Sequence, residues 1–162
     1  MTAPSQLASA EAPHPGGRES VYLHAGQLAI GARPSSIITV LGSCVAVCLF
    51  DAGARVGGMN HFLLAHPVGS ERSPRFGTVA VPALVDAVVA AGARRVELQA
   101  KVFGGATTIG AGPRRLGDEN AALALALLAD AGIPVLQSDL GGPRGRKLIF
   151  HSDDGSAWVR PL

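Results

Sequence analysis

The apolar run Val45-Ala46-Val47-Cys48-Leu49-Phe50 and the turn that follows it are the clearest indication of how this chain folds. These residues are all apolar and rich in valine, which is typical of a short strand buried on both faces. Asp51–Ala54 is a predicted turn, and Arg55–Leu64 is a second predicted strand that Gly57-Gly58 loosens. The two strands are therefore expected to pair as an antiparallel hairpin.

Further strand patterns lie on both sides of this hairpin, and only two segments have helical periodicity. The predicted helices are Phe76–Ala91, where Pro82 favours a start near Val81, and Glu119–Ala131, with Asp118 as its N-cap. The remaining predicted strands are Val21–His24, Gln27–Ile30, Ser36–Val40, Arg95–Phe103, Ile133–Gln137, Lys147–His151 and Ala157–Arg160. Strands in runs with two helices indicate an α+β fold rather than a doubly wound α/β fold.

Composition excludes several classes of protein. The chain has 162 residues, of which 48% are hydrophobic and 16% charged, so we expect one folded domain with its own core. A net charge of +2 and 4% aromatic residues provide neither a strong basic surface nor a stacking platform for nucleic acid. The apolar runs fall short of the roughly 20 residues that a membrane span requires, so membrane insertion is not expected.

The N-terminal segment differs in composition from the rest. Residues 1–20 are rich in Ala, Pro, Ser and Gly and show no periodicity, which predicts a disordered leader before a domain over residues 21–162. The leader lacks the basic start and apolar segment of a secretory signal. Cys44 and Cys48 would lie roughly 13 Å apart on a strand, beyond the reach of a disulfide. Free thiols without an export signal predict a cytoplasmic protein.

Cys44 and His61 are the candidate catalytic residues. If the hairpin turns around Asp51–Ala54, these two residues lie almost opposite each other. An imidazole can take the proton of a thiol, and an imidazolium lowers the pKa of a neighbouring thiol, which is the minimal chemistry of a cysteine hydrolase. The turn at Gly42-Ser43 could direct backbone N–H groups at a developing oxyanion. The alternative is that Cys44 is a small buried apolar residue, as Cys48 is expected to be.

Metal and cofactor sites are disfavoured. Cys44, Cys48 and His61 could hold Zn²⁺ together with a carboxylate, but the chain has neither a C-x₂-C nor an H-x₃₋₅-H spacing. Gly104-Gly105 and Gly141-Gly142 lack the patterns of phosphate-binding loops and are expected to serve turns or close packing. The sequence thus predicts no cofactor and no metal.

Four blocks in order along the chain resemble the CheD family of chemoreceptor glutamine deamidases. They are residues 41–51 (LGSCVAVCLFD), 57–64 (GGMNHFLL), 100–106 (AKVFGGA) and 140–147 (LGGPRGRK). The resemblance extends from about Val21 to Leu162. It departs from the family at Arg75-Phe76-Gly77-Thr78, where an Arg-Tyr-Gly-Asp-like segment is usual, and at Glu119, where an arginine is usual.

The resemblance implies a cytoplasmic amidohydrolase, a protein-glutamine glutaminase that converts specific glutamines of methyl-accepting chemotaxis receptors to glutamate and releases ammonia. It also implies two packed mixed β-sheets with helices on the outside. By this resemblance Cys44 is the nucleophile and His61 the catalytic histidine. The family's third catalytic residue, a threonine before the cysteine, corresponds to Thr39, or to Ile38 in a register one residue earlier. The hydroxyl that orients the imidazole would come from Thr39 or Ser43.

Two other functions stay open at this stage. CheD-like proteins also associate with a CheC-type phosphatase, so the chain could be a non-catalytic chemotaxis adaptor. Thioester chemistry does not distinguish an amide from an ester, so a receptor methylesterase is the other alternative.

Overall fold

The computed structural model describes residues 9–11, 17–31, 33–107 and 115–162. In chain order, the strands of this part of the chain are β1 (Ser9–Glu11), β2 (Glu19–Tyr22), β3 (Leu28–Ile30), β4 (Ser35–Leu41), β5 (Val45–Asp51), β6 (Val56–Asn60), β7 (Gln99–Gly104), β8 (Val135–Leu140), β9 (Arg146–His151) and β10 (Ala157–Pro161). The helices are α1 (Gly77–Ala90) and α2 (Leu116–Asp130), and Arg95–Glu97 forms a short 3-10 helix.

The strands form two mixed sheets of five strands each. The first has the order β1-β2-β4-β9-β10 and the second the order β3-β6-β5-β7-β8. Each sheet contains one parallel pair, β2 with β4 and β7 with β8, among antiparallel neighbours. This arrangement confirms the predicted α+β class and the two mixed sheets.

Strand β5 separates two apolar cores, because alternate side chains point to opposite faces. Val45, Val47 and Leu49 pack with α1 and α2 on the outer face of the second sheet. Ala46, Cys48 and Phe50 pack between the two sheets, and Cys48 is fully buried there. The molecule therefore has three layers, and the prediction of a strand buried on both faces is confirmed.

The structure differs from the predicted leader over part of residues 1–20. Ser9–Glu11 pairs with β2, which itself begins at Glu19. Arg18 donates hydrogen bonds to both carboxylate oxygens of Asp153, at 2.9 and 3.1 Å. Composition does not reveal these contacts, because β1 is held by backbone pairing at a sheet edge. Residues 1–8 and 12–16 lie outside the described residues, and there the leader stays a prediction.

Both helices begin earlier than predicted. Helix α1 starts at Gly77 rather than near Val81, so Pro82 lies inside it. The N–H groups of Gly77 and Thr78 donate to the carbonyls of Leu64 and Ala65, which anchors the first turn to the chain after β6. These tertiary contacts outweigh the local preference of Pro82 for the first turn. In α2, Asp118 lies within the first turn rather than at the N-cap.

No helix in the described part of the chain combines the length and apolar character needed to cross a membrane.

Candidate active site

Cys44 lies in the connection between β4 and β5, the adjacent strands in sequence that belong to different sheets. It is half-buried, in contrast to Cys48, and both cysteines are free. The backbone of Cys44 rests directly on Gly104, where a Cβ would be 2.2 Å from the Cys44 carbonyl oxygen. Gly104 also has φ +113°. A glycine at the end of β7 thus allows the chain to bring Cys44 to the edge of the second sheet.

His61 directly follows β6 and lies on the same face of the hairpin as Cys44. Cys48 pairs with Met59 and, further along, Val45 pairs with Phe62. Continuing this register by one residue sets Cys44 opposite Leu63, so His61 is its diagonal neighbour. The sequence predicts the two residues almost opposite each other, and the structure offsets them by two residues, because the turn is one residue further along than predicted. A shift of two residues keeps both side chains on one face, and diagonal neighbours lie about 7–8 Å apart.

Thr39 contacts the imidazole of His61. Thr39 Oγ1 lies 2.8 Å from His61 Nδ1 and 2.6 Å from the carbonyl oxygen of Leu23. The Leu23 oxygen can only accept, so the single hydroxyl proton of Thr39 is donated to it. Thr39 must then accept a hydrogen bond from Nδ1–H. The neutral imidazole is thereby held with its proton on Nδ1 and a lone pair on Nε2.

His61 Nε2 is buried and has no hydrogen-bond partner among the described residues, Cys44 included. A buried ring nitrogen is usually satisfied, so an exception of this kind requires an explanation. A lone pair held in place by the hydrogen bond on the opposite ring nitrogen is the geometry of a general base. The threonine that the resemblance implies is therefore in contact with His61 in the register of Thr39, whereas Ile38 offers no hydroxyl.

Burial makes both candidate catalytic groups neutral near pH 7. Burial raises the pKa of the Cys44 thiol, although its own backbone N–H partly offsets this effect. Burial and, to a smaller extent, the nearby His24 together lower the pKa of His61 to about 4. Both shifts act against the stabilisation of a thiolate by an imidazolium that the sequence leads us to expect. The reason is that desolvation disfavours the charged form of each group.

His24 is closer to the site than sequence reasoning indicated. The turn His24–Gln27 packs against His61, because Gly26 N donates to the His61 carbonyl at 2.7 Å and His61 N donates to the Gln27 carbonyl at 3.1 Å. His24 itself is exposed and contacts the ring of Tyr22, with centroids 4.8 Å apart. The sequence carried no signal for this contact, because His24 follows β2 and His61 follows β6, and these two strands belong to different sheets.

Asn120 is a site residue that the sequence does not predict, although it directly follows Glu119, where the chain departs from the family pattern. It lies in α2 with 1% of its surface exposed. Its Nδ2 donates to the carbonyl of Ser43 at 3.0 Å and to the carbonyl of Leu63 at 2.8 Å. One amide therefore joins the segment that carries Cys44 to the segment that carries His61.

The metal alternative finds no support. Across residues 9–11, 17–31, 33–107 and 115–162, no group of three or more His, Cys, Asp or Glu side chains is arranged to hold a metal ion. Cys48 points between the two sheets within an apolar cluster, so it does not share a site with Cys44 and His61.

Comparisons with known proteins agree with the resemblance. A family model described as CheD chemotactic sensory transduction matches residues 64–161. A protein of Anaeromyxobacter dehalogenans named probable chemoreceptor glutamine deamidase CheD 1 is 69% identical over 157 residues, covering 96% of this chain and 92% of that protein. A probable chemoreceptor glutamine deamidase CheD of Sulfurimonas denitrificans is 40% identical over 148 residues, covering 88% of this chain and 94% of that protein.

Among solved structures, the hypothetical protein YfiH of Bacillus licheniformis matches with a TM-score of 0.45 and 15% identity, covering 71% of this chain and 49% of that one. The family model matches more than half of the chain, and the chain spans almost the full length of relatives that are 69% and 40% identical to it. These matches decide the assignment. This chain belongs to the CheD family.

Proposed function

We propose that this protein deamidates specific glutamine side chains of chemoreceptors, with Cys44 as the nucleophile, His61 as the general base and acid, and Thr39 as the residue that orients His61. The observation that carries the proposal is the imidazole of His61, whose Nδ1 is held by Thr39 at 2.8 Å and whose Nε2 is left free on the face that carries Cys44. The family relatives bear the name chemoreceptor glutamine deamidase, which supplies the substrate class.

The first half of the reaction forms a thioester and releases ammonia. As Cys44 Sγ attacks the δ-carbonyl carbon of glutamine, its proton passes to His61 Nε2, and the carbonyl electron pair moves to oxygen. The oxyanion then reforms the carbonyl and the C–N bond breaks. The departing nitrogen takes the proton from Nε2–H, so ammonia leaves and His61 is neutral again.

The second half returns the enzyme and yields glutamate. A water molecule attacks the thioester carbon and gives one proton to His61 Nε2. When the second tetrahedral intermediate collapses, the C–S bond breaks and the thiolate recovers that proton from Nε2–H. The net reaction consumes one water and one amide and produces one carboxylic acid and one ammonia, with no cofactor.

The neutral resting pair fits this sequence of proton transfers. A His61 with a pKa of about 4 keeps the lone pair of Nε2 available throughout the physiological pH range. The thiol then ionises only as it attacks, which makes proton removal part of the transition state rather than a separate earlier step.

Mass spectrometry of a chemoreceptor cytoplasmic fragment incubated with the purified protein tests the proposal. Deamidation gives a gain of about one dalton per modified glutamine and releases ammonia. Loss of a methyl ester instead removes about fourteen daltons, which would favour the methylesterase. No mass change together with stable binding of a CheC-type phosphatase would favour the non-catalytic adaptor. We expect the gain of about one dalton, confined to glutamine.

Two further features of the proposal concern cellular context. Association with a CheC-type phosphatase is implied by the resemblance and can be measured by titrating such a protein into the deamidation reaction. Action on the cytoplasmic part of the receptor requires a cytoplasmic location, which the two free cysteines fit.

A further inference from the structure

We infer that Asn120 is a positioning residue that aligns the backbone N–H groups of Ser43 and Cys44 as an oxyanion-binding site. This inference rests on the proposed function, because it concerns the oxyanion formed when Cys44 attacks a carbonyl. The three carbonyl groups of Gly42-Ser43-Cys44 are each held by a different donor.

The donors come from two neighbouring elements. Ala106 N donates to the Gly42 carbonyl at 3.0 Å, and Gly105 N donates to the Cys44 carbonyl at 2.9 Å. The Ser43 carbonyl between them accepts from Asn120 Nδ2 at 3.0 Å. Asn120 is therefore the side-chain member of a set whose other two donors are backbone N–H groups, which only a proline substitution would remove.

Fixing these carbonyls also fixes the direction of the N–H groups. No peptide bond in the described residues is cis, and in a trans peptide the C=O and the N–H of the next residue point in opposite directions. When Asn120 holds the Ser43 carbonyl, the Cys44 N–H is turned away from α2. The hydrogen bond from Ala106 N to the Gly42 carbonyl likewise turns the Ser43 N–H away from Ala106. Neither N–H donates to a backbone carbonyl in the described part of the chain. The Cys44 N–H is directed at its own thiol, which is the group beside which the oxyanion would form.

The second hydrogen bond of Asn120 extends this control to the segment of His61. Nδ2 also donates to the Leu63 carbonyl at 2.8 Å, and Leu63 is the residue opposite Cys44 in the hairpin register. Both acceptors are carbonyls, so the NH₂ group of the amide must face them. The remaining Oδ1 is buried without a partner among the described residues. An unpartnered buried oxygen costs stability, which a purely structural side chain would avoid.

Kinetics of Asn120→Ala on a receptor fragment separate positioning from simple structural support. We expect kcat for deamidation to fall about 100-fold with KM nearly unchanged, as for loss of an oxyanion donor. Alkylation of Cys44 by iodoacetamide should stay within about threefold of wild type, because that displacement forms no oxyanion. Ser152→Ala is the matched control, since Ser152 Oγ accepts from Ser35 N at 3.0 Å at the opposite end of β4 and is equally buried.

The opposite results overturn the inference. An unchanged kcat in a folded variant would do so, and so would alkylation that falls in parallel with kcat. Asn120→Ser provides a second variant that keeps a smaller polar side chain. If neither variant folds while Ser152→Ala does, the role of Asn120 is structural and the inference is wrong.

An aldehyde probe distinguishes this inference from the proposed function. An acetylated, amidated glutamate semialdehyde adds to Cys44 as a hemithioacetal, and its oxygen would occupy the same N–H groups. We expect the concentration that protects Cys44 from iodoacetamide to rise at least about tenfold in Asn120→Ala. If this shift occurs but wild-type protein deamidates no receptor, the proposed function fails and the inference stands. If deamidation requires Cys44 but neither kcat nor protection depends on Asn120, the inference fails and the function stands.

Discussion

Among single residues, Thr39 determines the tautomer of His61. Thr39→Val removes the hydroxyl at nearly constant volume, so Nδ1–H loses its acceptor and the proton can move to Nε2. We expect a loss of about 10²-fold in kcat, while Thr39→Ser restores most of the rate. Steady-state deamidation of a receptor fragment measures both. Equal rates for Thr39→Val and Thr39→Ser would exclude the orienting role.

The ionisation of Cys44 is also a residue-scale property. Because burial raises its pKa, alkylation by iodoacetamide should be slow at pH 7 and should increase with pH up to 9 and beyond. Because His61 is neutral above pH 5, His61→Ala should leave this alkylation profile largely in place while it lowers deamidation by at least about 10²-fold. An alkylation midpoint well below pH 8 in wild type that rises in His61→Ala would instead indicate a thiolate–imidazolium pair.

At the scale of secondary structure elements, the end of β7 determines the position of the nucleophile. A Cβ at Gly104 would lie 2.2 Å from the Cys44 carbonyl oxygen, and φ there is +113°. Gly104→Ala should therefore displace Cys44, lower the free energy of unfolding by roughly 3 kcal/mol or more and abolish deamidation. Gly132→Ala is the control, because Gly132 has φ +71° with no atom within 4 Å of a Cβ, so it should cost only about 1 kcal/mol and keep activity. Urea unfolding and deamidation rates of the two variants check this contrast.

Most elements could be predicted from sequence because their periodicity and turn residues are local. The hairpin of β5 and β6, the burial of β5 on both faces and the placement of Cys44 and His61 on one face could be predicted from the apolar run Val45–Phe50 and the turn after it. The offset of two residues between Cys44 and His61 could not. The start of α1 could not be predicted, since the carbonyls that anchor it belong to Leu64 and Ala65. The same holds for Asn120, whose acceptors lie 77 and 57 residues away along the chain.

At the scale of the whole molecule, the buried His61 makes the free energy of unfolding depend on pH. Its pKa falls from 6.5 to about 4 on folding, so the unfolded chain binds an extra proton between these values. Above pH 6.5 His61 is neutral in both states and does not reduce the stability of the folded protein. As the pH falls towards 4, protonation of the unfolded chain lowers the free energy of unfolding, and the loss is about 2 kcal/mol at pH 5. Asp51, whose pKa is held at about 2 mainly by the Arg94 side chain, loses its contribution only below its ordinary 3.8.

Urea unfolding of wild type and His61→Gln between pH 7 and 4.5 measures the effect. The wild type should lose about 2 kcal/mol more than His61→Gln between pH 7 and pH 5. Parallel pH profiles for the two proteins would show that His61 is not buried as a neutral group.

The three layers place the two cysteines of this chain in different environments. Cys48 lies in the apolar layer between the sheets, where burial raises the pKa of its thiol strongly, whereas Cys44 lies half-buried where the chain crosses from one sheet to the other. The comparison of these two thiols within one protein therefore tests whether Cys44 is the nucleophile.

That measurement is the deamidation rate of a receptor fragment, followed by mass, for Cys44→Ala and Cys48→Ala beside wild type. We predict that Cys44→Ala and Cys44→Ser are inactive while folded, because a serine hydroxyl is far harder to ionise than a thiol. Cys48→Ala should keep most of its activity and lose on the order of 1 kcal/mol in stability. Substantial deamidation by folded Cys44→Ala would contradict the account.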